Sequence, residues 1–141
     1  MAKQINLVIV TPERLVVDEM VDDVAVPGLN GEMGVLPEHA LLLSMLETGV
    51  LTYHVGGQKQ MVAISGGYVE VSPDKVTVLA TEAEMPEEID IERARLAREH
   101  AMRELKLGEQ EADFVRARAK LQKALVQLQV ATKGQEKGIE L

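Results

Sequence analysis

The chain has 141 residues, of which 46% are apolar and only 2% aromatic, and its formal net charge is −8. So few aromatic side chains provide little stacking surface for single-stranded nucleic acid, and the negative charge opposes binding to a phosphate backbone, so we expect no nucleic-acid partner. The sequence has no cysteine, which excludes disulfides, a thiol nucleophile and a thiolate metal site.

Charge is distributed unevenly along the chain. Residues 1–86 have 12 acidic and 4 basic side chains, whereas residues 87–141 have 11 of each. The first part is an acidic body and the second a densely charged but balanced segment, so we predict two domains, 1–86 and 87–141. No stretch of sequence approaches the roughly 18 apolar residues of a membrane span. We therefore expect contact with a membrane only through partners.

Short segments rich in valine, many of them alternating in polarity, follow one another between residues 5 and 80. Turn sequences separate them, and two of these, Asn30-Gly31 and Gly56-Gly57, suit tight hairpins that need positive φ. Segments that recur about every 8–12 residues are typical of an antiparallel sandwich or barrel, which we predict for the first domain. The predicted strand segments are INLVIV, RLVVDEMV, DDVAVPG, LTYHV, QMVAIS, YVEVS and KVTVLA.

The stretch PGLNGEMGVLPEHALLL, residues 27–43, contains three glycines and two prolines before an apolar run. Two interpretations are open. It can be a corner of the sandwich that leads into a buried strand. Alternatively, it can be an exposed loop that presents Glu32 and His39 to a partner.

Beyond Pro86 the apolar residues recur every three or four positions instead of every two, which indicates helices. Asp90 is a predicted N-cap, and the break at Leu107-Gly108 predicts a hairpin of two helices. Gly134 and Gly138 are predicted to end the second helix. The predicted inner faces are Ala94, Ala97, Ala101 and Leu105 in the first helix, and Phe114, Ala117, Leu121, Ala124, Leu125, Leu128 and Ala131 in the second.

Alanine dominates both inner faces. Alanine lets two helices approach closely but buries little apolar area, at about 25 cal/mol per Å², so the contact between the helices is weak compared with one built from leucines. A weak contact along a hairpin about 30 Å long could open and serve as a switch. The alternative is a passive helical cover on the sandwich.

No arrangement of residues typical of catalysis is present in the sequence. It lacks the phosphate-binding, nucleophile-elbow and zinc-protease motifs, and its three histidines, His39, His54 and His100, are isolated from one another. Metal sites usually need two or more ligands at local spacing. We therefore expect neither an enzyme nor a metal site.

Two features of the second domain are candidates for binding. Arg116, Lys120 and Lys123 recur at helical spacing and form what we call the basic ridge, which is either a solvated face or a site for an acidic protein surface. The IDIERA motif, residues 89–94, places Arg93 at a helix N-terminus, where free N–H groups can attract an anion. In the alternative interpretation Asp90 takes those donors as a cap.

Several motifs occur in an order and spacing that resembles the epsilon subunit of bacterial F-type ATP synthases. The family's loop runs approximately PGxxGExGVLPGHAPLL and a later signature runs AVSGGFVEV, and both are met here with small changes. The resemblance covers roughly residues 3–132. The matching segments are LVIVTPERLVV, VAVPGLNGEMGVLPEHALLL, AISGGYVEVSPDKVTVLA and EEIDIERA.

The resemblance implies a β-sandwich of about ten antiparallel strands followed by a C-terminal helical hairpin. It implies a non-catalytic rotor subunit that couples proton-driven rotation to ATP synthesis, with the sandwich bound to the gamma subunit and the c-ring. Its helices would extend toward the acidic motif of the beta subunit in the alpha/beta head and inhibit ATP hydrolysis. The implied location is the cytoplasmic face of the bacterial inner membrane, as a peripheral subunit.

The resemblance also assigns residues to partners. By position, Glu32 and His39 would face the c-ring, and the basic ridge would meet the acidic residues of the beta subunit. The sequence departs from the family at Glu38, where glycine is usual, and at Leu41, where proline is frequent.

Some members of the family bind ATP through a motif that IDIERA resembles, and this gives an alternative function as an ATP-sensing module. The matching residues here are Glu84, Ile89, Asp90, Arg93 and Ala94. Those members also bring arginines to the phosphates, at positions that here hold His100, Lys123 and Gln127. Since charge-assisted contacts are worth roughly 1.5–3 kcal/mol each, we predict ATP binding that is weak or absent, and no other cofactor.

Overall fold

A computed structural model describes residues 3–108 and 110–139, with side chains as far as residue 133. The chain divides into two compact units, Met1–Glu84 and Met85–Leu141, which we call the sandwich unit and the helical unit. The boundary predicted from the sequence lies two residues later, between 86 and 87. The structural division therefore assigns the short 3₁₀ turn Pro86–Glu88 to the helical unit.

Eight strands lie in the described residues of the sandwich unit. They are β1 (Ile5–Val10), β2 (Leu15–Val21), β3 (Asp23–Gly28), β4 (Gly31–Val35), β5 (Leu42–Leu46), β6 (Gly49–Val55), β7 (Gln58–Ser72) and β8 (Lys75–Glu84). Their order is β2-β1-β8-β7-β5-β3-β4, and β6 pairs with both β3 and β7. All pairings but one are antiparallel among these strands.

The exception corrects the prediction of an all-antiparallel fold, because β1 and β8 run parallel, with Asn6 opposite Lys75 and Val10 opposite Leu79. A tight hairpin forces its two strands to be antiparallel, but β1 and β8 are far apart in the sequence and have no such constraint. The described residues also form eight strands, against the prediction of about ten.

The long strand β7 accounts for part of that difference. Its first part pairs with β6, from Gln58 to Ile64, and its second part pairs with β5, from Gly67 to Val71. Between them Gly66 and Gly67 have φ of 66° and 123°, and a Cβ at Gly67 would lie 2.1 Å from the Leu79 carbonyl oxygen. One continuous strand thus changes pairing partners at two glycines.

The core of the sandwich unit is almost entirely aliphatic, which follows from the small number of aromatic residues in the sequence, although Tyr53 is also buried. Alternate residues of β1, namely Ile5, Leu7 and Ile9, are completely buried, and so are Val76 and Val78 of the neighbouring β8. The side chains described in the structure include no buried polar or charged residue. Strand alternation therefore places aliphatic side chains inside, as the period of two predicts.

The helical unit contains α1 (Ile91–Leu107) and α2 (Glu111–Ile139). As predicted, Asp90 is the N-cap of α1, and the Gly108 N–H donates to the Glu104 carbonyl at 2.9 Å where the helix ends. The predicted end of α2 at Gly134 is wrong, because the helix continues through Gly138 to Ile139. A glycine within a helix costs only about 1 kcal/mol, which does not by itself stop a helix.

The contact between α1 and α2 is built largely from alanine, as predicted. We call its five buried alanines, each at most 3% exposed, the alanine seam: Ala94, Ala101, Ala117, Ala124 and Ala131. Three members of the predicted inner faces, Ala97, Phe114 and Leu125, are instead exposed. At 100° per residue, Ala97 lies at the edge of the face that Ala94 and Ala101 form. Two valines of α2 that were not predicted, Val126 and Val130, are buried.

Candidate functional site

The stretch 27–43 is not a single loop. The end of β3 and all of β4 form a hairpin with Leu29 and Asn30 at its turn, and Glu32 lies exposed on β4 opposite Pro27. The sequence then leaves the sheet at Leu36 and returns in β5. Glu32 is thus placed by a strand, whereas His39 is placed by the loop that follows.

The loop between β4 and β5 is held by backbone hydrogen bonds. The partly buried His39 donates its backbone N–H to Leu36 at 3.2 Å, and its Nδ1 lies 2.8 Å from the Ala40 carbonyl oxygen. Glu38 donates its backbone N–H to the Pro73 carbonyl at 2.7 Å and forms an ion pair with Lys3. Its φ of 68° is left-handed, so this position adopts the backbone that favours glycine although it holds a glutamate.

An exposed row of apolar side chains crosses the outer face of the sheet, and the sequence reasoning did not find it. The register places its members side by side on β2, β1, β8, β7 and β5. We call Leu15, Val10, Leu79, Tyr68 and Met45 the apolar row, and all but Val10 are about half exposed. Beside it, two register positions away and on the same face, lie the exposed acids Asp18 of β2 and Glu70 of β7. The signal in the sequence was the presence of apolar residues at the outward positions of the strands.

The basic ridge lies on α2, and its cations already have partners in the closed hairpin. The guanidinium of Arg116 contacts the Asp113 carboxylate of the same helix at 2.9 Å. Lys120 Nζ lies 3.6 Å from Oε2 of Glu104, which belongs to α1. Lys123 is partly buried and also interacts within the described part of the chain.

Glu104 has a second partner, because its Oε1 lies 2.8 Å from Nε2 of His100 one turn earlier on α1. These groups border a cavity of about 590 Å³ where the two helices meet their connection. The cavity is lined by His100, Arg103, Glu104, Leu107, Gly108, Asp113, Arg116 and Lys120. Lys120 of the basic ridge therefore forms one charged cluster with Glu104 and His100 of α1, and the Arg116–Asp113 pair lines the same cavity.

The IDIERA motif has structural tasks at the start of α1. The carboxylate of Asp90 accepts the backbone N–H of Arg93 at 3.1 Å, and Ile89 and Ala94 are buried. The Arg93 side chain is exposed. Glu84 is the last residue of β8 and belongs to the sandwich unit. In the helical unit the motif thus offers one exposed cation to a ligand.

The remaining positions of the candidate ATP site are engaged within the chain. His100 is paired with Glu104, and Lys123 and Gln127 also have interactions with described residues.

Across residues 3–108 and 110–133, no group of three or more histidine, cysteine or acidic side chains is arranged to hold a metal ion. None of the helices, over the residues that the structure describes, is long and apolar enough to span a membrane.

Two family models match consecutive parts of the chain. The beta-sandwich domain of the ATP synthase Delta/Epsilon chain matches residues 4–86, and the long alpha-helix domain of the same chain matches residues 87–132. The chain belongs to the ATP synthase delta/epsilon family. The chain is therefore a non-catalytic subunit of the central stalk of ATP synthase, as predicted from the sequence.

Relatives and solved structures agree with this membership. The ATP synthase epsilon chain of Syntrophobacter fumaroxidans is 52% identical over 133 residues, which cover 94% of this chain and 99% of the relative. That of Nitratidesulfovibrio vulgaris is 48% identical over 130 residues, covering 92% and 97%. A chain in the Euglena gracilis mitochondrial ATP synthase structure containing OSCP, F1 and the c-ring has a TM-score of 0.79 at 30% identity, covering 92% of this chain and 81% of that one.

A second solved structure shows the fold at greater distance. A chain of the Tetrahymena thermophila mitochondrial ATP synthase central stalk and c-ring has a TM-score of 0.55 at 13% identity, covering 95% of this chain and 98% of that one. Together with the family models, these comparisons confirm the predicted fold class of a β-sandwich followed by a helical hairpin.

Proposed function

We propose that the chain is a rotor subunit that couples proton-driven rotation to ATP synthesis and inhibits ATP hydrolysis when its helical hairpin opens. The observation that carries the inhibitory part is the alanine seam. Five alanines bury a small apolar area between α1 and α2, so the hairpin is held closed weakly for its length. The proposed location is the cytoplasmic face of the bacterial inner membrane, reached through the complex.

The gamma subunit is the proposed partner of the sandwich unit's outer face. The apolar row spans four strand spacings of about 4.8 Å, or about 19 Å, which matches roughly three and a half turns of a partner helix. Asp18 and Glu70, beside the row, would favour basic side chains at the edge of that partner. Exposed apolar patches with a polar rim are typical of protein interfaces.

The c-ring is the proposed partner of the β3–β4 hairpin and the loop after it. Glu32 is exposed on β4, and the loop that holds His39 also exposes Leu36 and Leu41. An acidic and two apolar side chains in one region are suited to a partner surface that has both polar and apolar groups. This assignment is supported by the resemblance and by the exposure of Glu32, Leu36 and Leu41.

The basic ridge is the proposed contact with the acidic motif of the beta subunit. Opening separates Lys120 of α2 from Glu104 of α1, so one cation of the ridge becomes available to an outside carboxylate. Arg116 remains beside Asp113, since both residues are on α2. The open helix would thus present Lys120 to an acidic surface in place of Glu104.

The test is ATP hydrolysis by a reconstituted catalytic head with and without the chain. We expect the chain to lower the hydrolysis rate, and replacement of Arg116, Lys120 and Lys123 by glutamine to relieve this inhibition. Arg118→Gln is the matched control, because Arg118 is exposed on α2 but lies about half a turn around the helix from Arg116. Equal inhibition by the ridge variant and the control would contradict the proposed contact.

We further propose that ATP binding is weak or absent in this chain, and that IDIERA acts first as a helix start. Asp90 caps α1 and two residues of the motif are core residues, which supports a structural role. The positions that hold arginines in ATP-binding members provide at most one permanent charge here, at Lys123.

A further inference from the structure

Two ion pairs of the basic ridge differ in how they respond to opening of the hairpin. Arg116 and Asp113 are three residues apart on α2 and stay together in either state. Lys120 and Glu104 are on different helices, so their pair exists only while the helices lie side by side. The second pair is therefore sensitive to the state of the hairpin and the first is not.

Glu104 is well placed for this role because its two oxygens contact different partners. Oε1 is 2.8 Å from His100, one turn away on α1, and this contact limits the rotamers of the carboxylate. Oε2 is then directed at Lys120, at 3.6 Å. Glu104 is also less exposed than Lys120, with 33% against 59% of the side chain accessible, so the carboxylate is held at the surface between the helices.

We propose that Glu104 is an internal substitute for the partner's carboxylate: it engages Lys120 in the closed hairpin and releases it to an acidic partner surface in the open one. The inhibitory consequence of this exchange rests on the proposed function, whereas the effect on the hairpin does not. Removing Glu104 should favour opening and leave Lys120 ready for the partner. Removing Lys120 should favour opening equally but take away the contact with the partner.

The expected size of the effect follows from the exposure of the pair. Exposed ion pairs contribute modestly to stability, so loss of either partner should raise the ratio of open to closed hairpin about two- to fivefold. Reversing one charge places like charges beside each other and should raise this ratio further. Reversing both, in a Glu104→Lys/Lys120→Glu variant, should bring the ratio below that of either single reversal, although the contact of residue 104 with His100 is lost.

The state of the hairpin can be measured in the isolated full-length protein. The chain has no cysteine, so Leu96→Cys and Gln122→Cys provide two unique attachment points for spin labels, both at exposed positions. In a closed hairpin these labels are on neighbouring helices whose axes lie about 8–10 Å apart. In one continuous rod they would be about 39 Å apart.

We expect Glu104→Gln and Lys120→Gln to increase the long-distance population alike, and the double charge reversal to show a smaller long-distance population than either single reversal. Glu99→Gln removes an exposed acid of the same helix and is the matched control, expected to change nothing. Identical distance distributions in the wild type and in both single charge reversals would overturn the proposal. So would a double reversal that opens the hairpin as much as the single reversals do.

The rate of ATP hydrolysis by the reconstituted head distinguishes two failures: failure of the proposed role of Glu104 and failure of the inhibitory function on which it rests. We expect Glu104→Gln to deepen inhibition and Lys120→Gln to leave it unchanged or weaker, although both open the hairpin. If both variants open the hairpin and neither changes hydrolysis, the inhibitory function fails while the role of Glu104 in the closed hairpin stands. If both deepen inhibition equally, Lys120 is not the residue exchanged between partners, and that part of the proposal is overturned.

Discussion

At the scale of single residues, Glu38 shows how a backbone conformation can persist without its preferred amino acid. Its left-handed φ of 68° is maintained by the N–H bond to Pro73 and the ion pair with Lys3. The left-handed region costs a residue with a Cβ about 1–2 kcal/mol. The sequence departs from the family's usual glycine here, yet the loop keeps the conformation that glycine would favour.

Glu38→Gly should therefore stabilise the protein. Glycine removes the strain of the left-handed backbone. This gain is larger than the losses from the greater entropy of the unfolded chain and from the exposed ion pair with Lys3. We therefore expect the free energy of unfolding to rise by about 0.5–1 kcal/mol. Chemical denaturation of the full chain measures this change. Glu47→Gly, at an exposed position without positive φ, is the control and should lower stability. A decrease for Glu38→Gly as large as that of the control would contradict the prediction.

The residues of the IDIERA motif could either start helix α1 or bind ATP. The Asp90 carboxylate accepts the backbone N–H of Arg93, and this contact explains the helix start without a ligand. With two arginines of ATP-binding members replaced by His100 and Gln127, each lost contact with phosphate lowers affinity by roughly tenfold or more.

Calorimetric titration of ATP into the isolated protein, with and without Mg²⁺, should consequently show no saturable heat in the micromolar range. Arg93→Ala is the control, and we expect its titration to match that of the wild type. Saturable binding that disappears in Arg93→Ala would show instead that the motif senses ATP. The alternative function as an ATP-sensing module would then be favoured.

At the scale of elements, the hairpin depends on side-chain size more than on apolar area. Ala101 and Ala117 are completely buried, so neither has room for a larger side chain without separating the helices. The same closeness limits the stabilisation that the alanine seam provides. A hairpin of this kind is sensitive to a change of a few atoms.

We expect Ala101→Leu to shift the hairpin toward the open state and to deepen inhibition of ATP hydrolysis. Overpacking a close contact costs about 1–3 kcal/mol, enough to favour opening severalfold or more. Ala97→Leu adds the same atoms to an exposed position of α1 and should have no effect. If spin labels show the Ala101→Leu hairpin open while hydrolysis is unchanged, the inhibitory role is contradicted.

At the scale of the whole molecule, charge and apolar surface are divided between the two units. The sandwich unit has the net negative charge and the apolar row, whereas the helical unit has balanced charge arranged in networks. An exposed apolar row suits the sandwich unit to a permanent interface, and exchangeable ion pairs suit the helical unit to a change of partners. Association through the row should depend on buried apolar area, and association through the ridge should weaken as salt screens it.

Leu79→Ser should weaken binding of the sandwich unit to the gamma subunit by about 10- to 100-fold, because burial of a leucine side chain is worth about 1.5–3 kcal/mol. Leu79 is 54% exposed in the isolated chain, so its replacement should change the free energy of unfolding little. Co-purification or titration with gamma measures the effect. Leu96→Ser removes an exposed leucine of α1 and is the control. Equal affinities for the two variants would remove the apolar row from the interface.

The extent to which sequence predicted structure depended on how local each feature is. Asp90 was found as a cap because a cap is decided by a residue and the N–H groups just after it. Ala97 was misplaced because apolar character alone does not tell the centre of a helix face from its edge. Gly134 was misjudged as a helix end because its intrinsic cost is too small to decide where a helix stops.

The amino-acid sequence by itself determined the two kinds of unit, the aliphatic core and the start of α1, since periodicity and capping act between residues near in the chain. Only the tertiary structure decided which distant residues became neighbours. It paired β1 with β8 in parallel, aligned five outward side chains into the apolar row, and set Glu104 beside Lys120. These contacts depend on strand register and helix rotation. Both are fixed by packing of the whole chain, so no local pattern records them.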